Sequence, residues 1–159
     1  MTIDAVMRLA PVIPVLVMGE GVDPAALAET LVAAGLPVTE VTLRTPGALD
    51  AIRAMSAVEG AVVGAGTILN EAMLDQAIDA GSRFIVSPGL TDPLAKAAIA
   101  SGVPFLPGVA NAGDIMRGSI WGWTGSNIFR PRRQTALLRS RRRSATFASV
   151  QPAIFGRTA

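Results

Sequence analysis

The sequence predicts an α/β fold: a parallel sheet built from strand–loop–helix units, about five of them before residue 118. Three observations predict it. Short runs rich in β-branched residues alternate with Ala/Leu-rich stretches of helical spacing. The unit recurs about every 20–25 residues, which demands parallel neighbours joined by right-handed crossovers. Polar residues stand at the predicted strand ends: Glu40, Thr42, Arg44, Thr67 and Ser87. Such ends suit a (βα)8 barrel, whose site collects side chains from the C-terminal ends of several strands. Five units make an incomplete barrel.

The elements follow in order. Strands are expected at 12–18 ("VIPVLVM"), 37–44 ("PVTEVTLR"), 61–67 ("AVVGAGT"), 83–89 ("RFIVSPG") and 103–109 ("VPFLPGV"). Helices are expected at 23–34, 47–57, 70–80, 92–100 and, more weakly, 112–117. Asp23 before Pro24, Thr45 before Pro46, Asn70 before Glu71 and Thr91 before Asp92 read as N-caps. Gly35, Gly81 and Gly102 read as the glycines that close three helices.

Composition narrows the chemistry. The 159 residues suit one domain. Cysteine, histidine and tyrosine are all absent, which removes disulfides, thiolate and imidazole metal sites, and His or Tyr acid–base groups. Carboxylates, hydroxyls, arginines, backbone amides and one lysine remain. Residues 1–10 carry Asp4 and Arg8, and the apolar run after them is short and broken by Pro14. No secretory signal or membrane span is therefore expected, and a cytoplasmic protein is.

Charge divides the chain. All 12 acids and 6 basic residues lie in 1–118, for a net of 6 − 12 = −6. Residues 119–159 hold 8 arginines and no acid, for a net of +8. The expected organisation is a partial barrel domain at 1–118 and an Arg-rich, poorly ordered tail at 119–159.

"TEVTLRTPGALDAIRAM" is the most informative segment. Period-2 alternation puts Glu40, Thr42 and Arg44 on one strand face, with Val41 and Leu43 on the other. An arginine fork can hold the carboxylate of a 2-keto acid while a glutamate moves protons at the neighbouring carbon. A structural ion pair inside the barrel fits the same spacing. In "GAGTILN", Gly64 and Gly66 permit close backbone approach, and Thr67 offers a hydroxyl and an amide to an anion; a tight βα loop is the plain alternative. "IVSPGLTDP" carries Pro88 and Gly89, which could shape a pocket wall or a turn.

Together "PVIPVLV", "EVTLRTPGALDAIRAM", "VVGAGTILN", "FIVSPGLTDPLAKAA" and "PFLPGVANAGDIMRG" resemble the 2-keto-3-deoxy-6-phosphogluconate (KDPG) / 4-hydroxy-2-oxoglutarate (KHG) aldolase family across 1–118. The resemblance implies a homotrimeric (βα)8 barrel and a class I, Schiff-base aldolase of the Entner–Doudoroff pathway. Its reactions would be cleavage of KDPG to pyruvate and glyceraldehyde 3-phosphate, or of KHG to pyruvate and glyoxylate. Glu40 matches the family's proton-transferring glutamate, Arg44 and Thr67 its pyruvate-carboxylate contacts, and Pro88 a proline beside the Schiff base. No cofactor and no metal are implied, since imine chemistry takes their place.

The family's nucleophilic lysine, in a motif like "FKYFPAE", is missing. The only lysine, Lys96, lies in "DPLAKAAIA" and reads as a solvated helix residue. The genetic code supplies a reason. Taking the third base of each codon from Gly118 onward with the first two of the next, permissible codons spell "IDLGLDGFKYFPAET". In the same frame "TFASVQPA" can encode "VRFCPTG", which is similar to the family's seventh-strand phosphate motif. A frameshift near residue 118, in the gene or its sequencing, would account for both, and would leave this chain inactive. The competing reading makes "RPRRQTALLRSRRRS" a clasp for nucleic acid or an acidic surface through phosphate contacts. Arginine-rich text is also what a GC-rich gene yields out of frame, which disfavours a nucleic-acid role.

Overall fold

The structure, a computed structural model, describes residues 1–123. The Arg-rich stretch from 130 onward, and with it the nucleic-acid reading, lies outside the described residues. Eleven elements follow in order: α1 (Ile3–Arg8), β1 (Val15–Leu16), α2 (Pro24–Ala33), β2 (Val38–Thr42), α3 (Ala48–Ser56), β3 (Val62–Gly66), α4 (Glu71–Asp79), β4 (Phe84–Ser87), α5 (Asp92–Ser101), β5 (Phe105–Pro107) and α6 (Ala112–Ile120).

The five strands form one parallel sheet in the order β1-β2-β3-β4-β5. That order decides the architecture. A doubly wound sheet reverses direction at a switch point, whereas a strictly sequential order is the course of a barrel wall. All five residues of β2 are buried, as expected for a parallel strand covered on both faces.

Alternation sends the strand residues to two separate cores. On one face Val41, Val63, Ala65, Ile85 and Phe105 pack with Ile52, Met55, Leu74 and Leu94 of the helices. On the other, Val38, Phe84, Val86 and Leu106 pack with Ile3, Val6, Ala10 and Ile13. The second cluster is the inward face, and α1 lies against it. Each fully buried Ile, Leu or Phe contributes about 1.5–3 kcal/mol, so both faces drive assembly.

The predicted units all form, with shorter strands. β1 is only two residues long, and Pro14, which has no N–H to donate, precedes it; the Pro14 carbonyl still accepts from Glu40 N at 2.9 Å. Asp23 caps α2 through Ala25 N and Ala26 N, and Asn70 caps α4 through Met73 N. Gly35, Gly81 and Gly102 have φ of 77°, 97° and 68°, the left-handed conformation that favours glycine. Thr45 departs from the reading. A turn at residues 45–48 intervenes, so Gly47 occupies the cap position of α3 and the buried Thr45 hydroxyl has no partner among the described residues.

The helix expected at 112–117 runs to Ile120, past the charge boundary at 118. Trp121 and Trp123 then pack on the helix-side core, and Trp123 meets Phe105 edge-on at 5.3 Å between ring centroids. The Trp121 indole N–H donates to Asp92 Oδ1 at 3.3 Å, and Arg117 donates to the Leu90 carbonyl at 3.1 Å. No described helix is long and apolar enough to cross a membrane.

Candidate active site

β2 and β3 lie side by side with Glu40 opposite Gly64 and Thr42 opposite Gly66. The inward residues of β3 that face Glu40 and Thr42 are therefore two glycines, while Ala65 between them faces the helices. Each glycine accommodates a different neighbour. A Cβ on Gly64 would stand 2.5 Å from Phe84 Cε1. A Cβ on Gly66 would overlap Glu40 Oε1 and stand 2.6 Å from its Cδ. The Glu40 side chain thus leans from its own register position toward the C-terminal end of the sheet and lies over Gly66.

Glu40 is only 5% exposed. Burial pushes its carboxyl up from the ordinary 4.5 to about 7, against the Arg44 charge, which pulls it down. A carboxyl in that range can both take and give a proton near neutrality.

The spacing puts Arg44 on the strand, but β2 ends at Thr42. Leu43 and Arg44 occupy the turn that follows, and Arg44 is exposed. Its Nε donates to Thr67 Oγ1 at 3.2 Å. Among the described residues no ion pair joins it to Glu40, so the structural-pair reading of the Glu–Arg spacing does not hold in that form. The two nitrogens at the tip of the guanidinium make no hydrogen bond to a described residue.

Thr67 is the one described residue other than glycine with positive φ, at 64°. A β-branched residue in the left-handed region is strained, and such strain collects at functional sites. Here it sets Thr67 at the end of β3 with its hydroxyl on Arg44. Pro88 follows β4 one strand further along and is exposed; its backbone crowds Gly108, where a Cβ would stand 2.6 Å from the Pro88 carbonyl carbon. Thr42 and Ser87 are buried at the same sheet end, their hydroxyls donating to Leu16 O at 3.0 Å and Gly89 O at 2.8 Å. Lys96 is exposed on α5, away from the strand ends.

The structure therefore brings Glu40, Arg44 and Thr67 to one end of two adjacent strands, with Pro88 on the next. Sequence reasoning does not assign Gly66 to Glu40. The signal is the pair of inward glycines in "GAG", whose meaning depends on the β2–β3 register.

The family model described as KDPG and KHG aldolase matches residues 3–151. The chain belongs to this family. The 2-dehydro-3-deoxy-phosphogluconate aldolase of Zymomonas mobilis is 63% identical over 116 residues, covering 73% of this chain and 56% of that protein. The KHG/KDPG aldolase of Escherichia coli is 43% identical over 120 residues, covering 75% and 56%. The chain thus spans a little over half the length of these curated relatives. A crystal structure of the Zymomonas mobilis KDPG aldolase matches with a TM-score of 0.74 at 61% identity, over 77% of this chain and 59% of that one. The KDPG aldolase of Legionella pneumophila, with pyruvate captured as a covalent carbinolamine intermediate, matches with a TM-score of 0.73 at 40% identity, over 77% and 60%. These relatives are aldolases, hence lyases, with TIM-barrel-like folds. The sequential parallel sheet of this family member is an incomplete version of that fold.

Proposed function

We propose that the site at the ends of β2 and β3 is the 2-keto-acid half of a class I aldolase site. In this reading Glu40 moves protons at the carbon beside the keto group, Arg44 and Thr67 hold the substrate carboxylate, and Pro88 forms part of the wall. One observation carries the reading: a buried carboxyl poised near neutrality shares the strand ends with a guanidinium that Thr67 orients and Glu40 does not neutralise. The substrate class is the 2-keto sugar acid of the family, KDPG or KHG, cleaved to pyruvate and an aldehyde.

We further propose that this chain does not complete the reaction. Imine formation needs a lysine whose amine is neutral, in a desolvated or cation-flanked pocket. Lys96 is the only lysine and is exposed. The spelling of "FKYFPAE" in the shifted frame supports a reading-frame change near residue 118. The extent of the family model to residue 151 counts the other way.

Two proteins test both proposals together: the chain as it stands, and the product of a gene with a single base inserted near codon 118 to restore the motif. With KDPG, the first is expected to release negligible pyruvate. The second is expected to release it, and to be labelled by pyruvate under borohydride reduction. Robust turnover by the unaltered chain overturns the inactivity, and failure of any single-base change to restore the motif overturns the frame change. In the restored enzyme, Glu40→Gln and Arg44→Ala should each lower kcat/KM by about 100-fold or more. Near-normal turnover in both variants would remove these residues from the site.

A further inference from the structure

We propose that Gly66 is a positioning residue for Glu40, its missing side chain being the recess that seats the Glu40 carboxyl. The backbone does not itself require glycine there. Gly66 is not among the positive-φ glycines, unlike Gly35, Gly81 and Gly102, so an L side chain is compatible with its dihedrals. What excludes a side chain is its occupant. A Cβ at 66 would overlap Glu40 Oε1 and crowd Cδ at 2.6 Å and Cγ at 2.9 Å.

The recess is tied to the strand that carries its guest. Gly66 pairs with Thr42 in the β2–β3 ladder, and its carbonyl accepts from Leu43 N at 2.9 Å. Residue 66 therefore cannot slide away from Glu40 without breaking the ladder. Gly64, one inward place below, closes the other side by admitting the fully buried Phe84 ring opposite Glu40. The two glycines differ in what a methyl group would displace. At Gly64 it meets a buried aromatic ring that has nowhere to go. At Gly66 it meets the far end of a flexible side chain, which can swing toward the open strand ends. Gly66→Ala is accordingly expected to fold and to expel the carboxyl from its seat, returning it to water and to ordinary carboxylate behaviour.

The test follows Glu40 by carbon-detected NMR in the full chain labelled at glutamate carboxyls, with the resonance assigned by its loss in Glu40→Gln. The unaltered chain should titrate at about pH 7. Gly66→Ala should weaken the proton affinity of that carboxyl about tenfold or more, moving the midpoint toward 4.5. A folded Gly66→Ala chain that titrates as the parent does would overturn the proposal. Should Gly66→Ala not fold, Glu40→Ala is compared with Glu40→Ala/Gly66→Ala by thermal melting. Equal melting temperatures in that pair support the proposal, because the methyl group then fills space the carboxyl has left. A penalty that persists without the Glu40 side chain marks Gly66 as structural and overturns it.

Discussion

Glu40 trades stability for a neutral-range proton. Its pKa is 4.5 unfolded and about 7 folded, so between those values the folded chain holds a proton that the unfolded chain has lost. The contribution is fully present below about 4.5, is lost as pH rises through 7, and is flat above. The whole effect is at most about 3 kcal/mol. Glu40→Gln, which imitates the protonated form at every pH, should therefore match the parent in stability near pH 4 and exceed it near pH 8. Denaturant titrations at the two pH values check this, and a pH-independent difference between the two proteins would refute it. At this scale the sequence is largely legible: alternation along "TEVTLRT" puts Glu40 on the inward face and groups it with Arg44. The exposed place of Arg44 beyond the strand, and its bond to Thr67, are not legible. Both depend on where the turn begins and on a positive φ that the Thr67 side chain gives no hint of.

Among the elements, caps show which local signals survive packing. Asn70 and Thr91 both read as N-caps, yet only the Asn70 side chain makes a cap bond, to Met73 N at 2.9 Å. Asn70→Ala should cost about 1 kcal/mol, and Thr91→Ala only a few tenths. Urea midpoints of the two variants test the contrast, and equal losses would contradict it. Helix α1 leaves no periodic signal in the sequence. Six residues are too few for periodicity to register, and its stability comes from Thr2, which caps it through Ala5 N at 3.2 Å, and from Ile3 and Val6 packed on the inward core. β1 is shorter than its apolar run for the converse reason. Such a run signals burial, and Ile13 is buried without belonging to a ladder.

At the scale of the molecule, the parallel order and the five units are readable because each strand and helix carries its own period. What the inward glycines accommodate is not, since it rests on contacts between residues twenty or more apart in sequence. Among the described strands, β1 and β5 each have a single neighbour. An unpaired parallel edge invites pairing with another chain. Sedimentation velocity is expected to show self-association that grows with concentration, weakened by Val17→Lys beside β1, where Val17 is 42% exposed. A monomer at every concentration would count against open edges in solution.

The packing of Trp121 and Trp123 has an optical consequence. They are the only two tryptophans, and the chain has no tyrosine, so its intrinsic fluorescence comes almost wholly from two rings just beyond the end of α6. One leans on Phe105 and the other is tethered to Asp92. Emission therefore reports whether the end of α6 is docked against β5 and α5, and is nearly blind to Glu40. Circular dichroism averages over all the helices. An unfolding curve seen by fluorescence is thus a local reading of this one join, and its coincidence with the dichroism curve measures how far the join and the sheet melt as a unit.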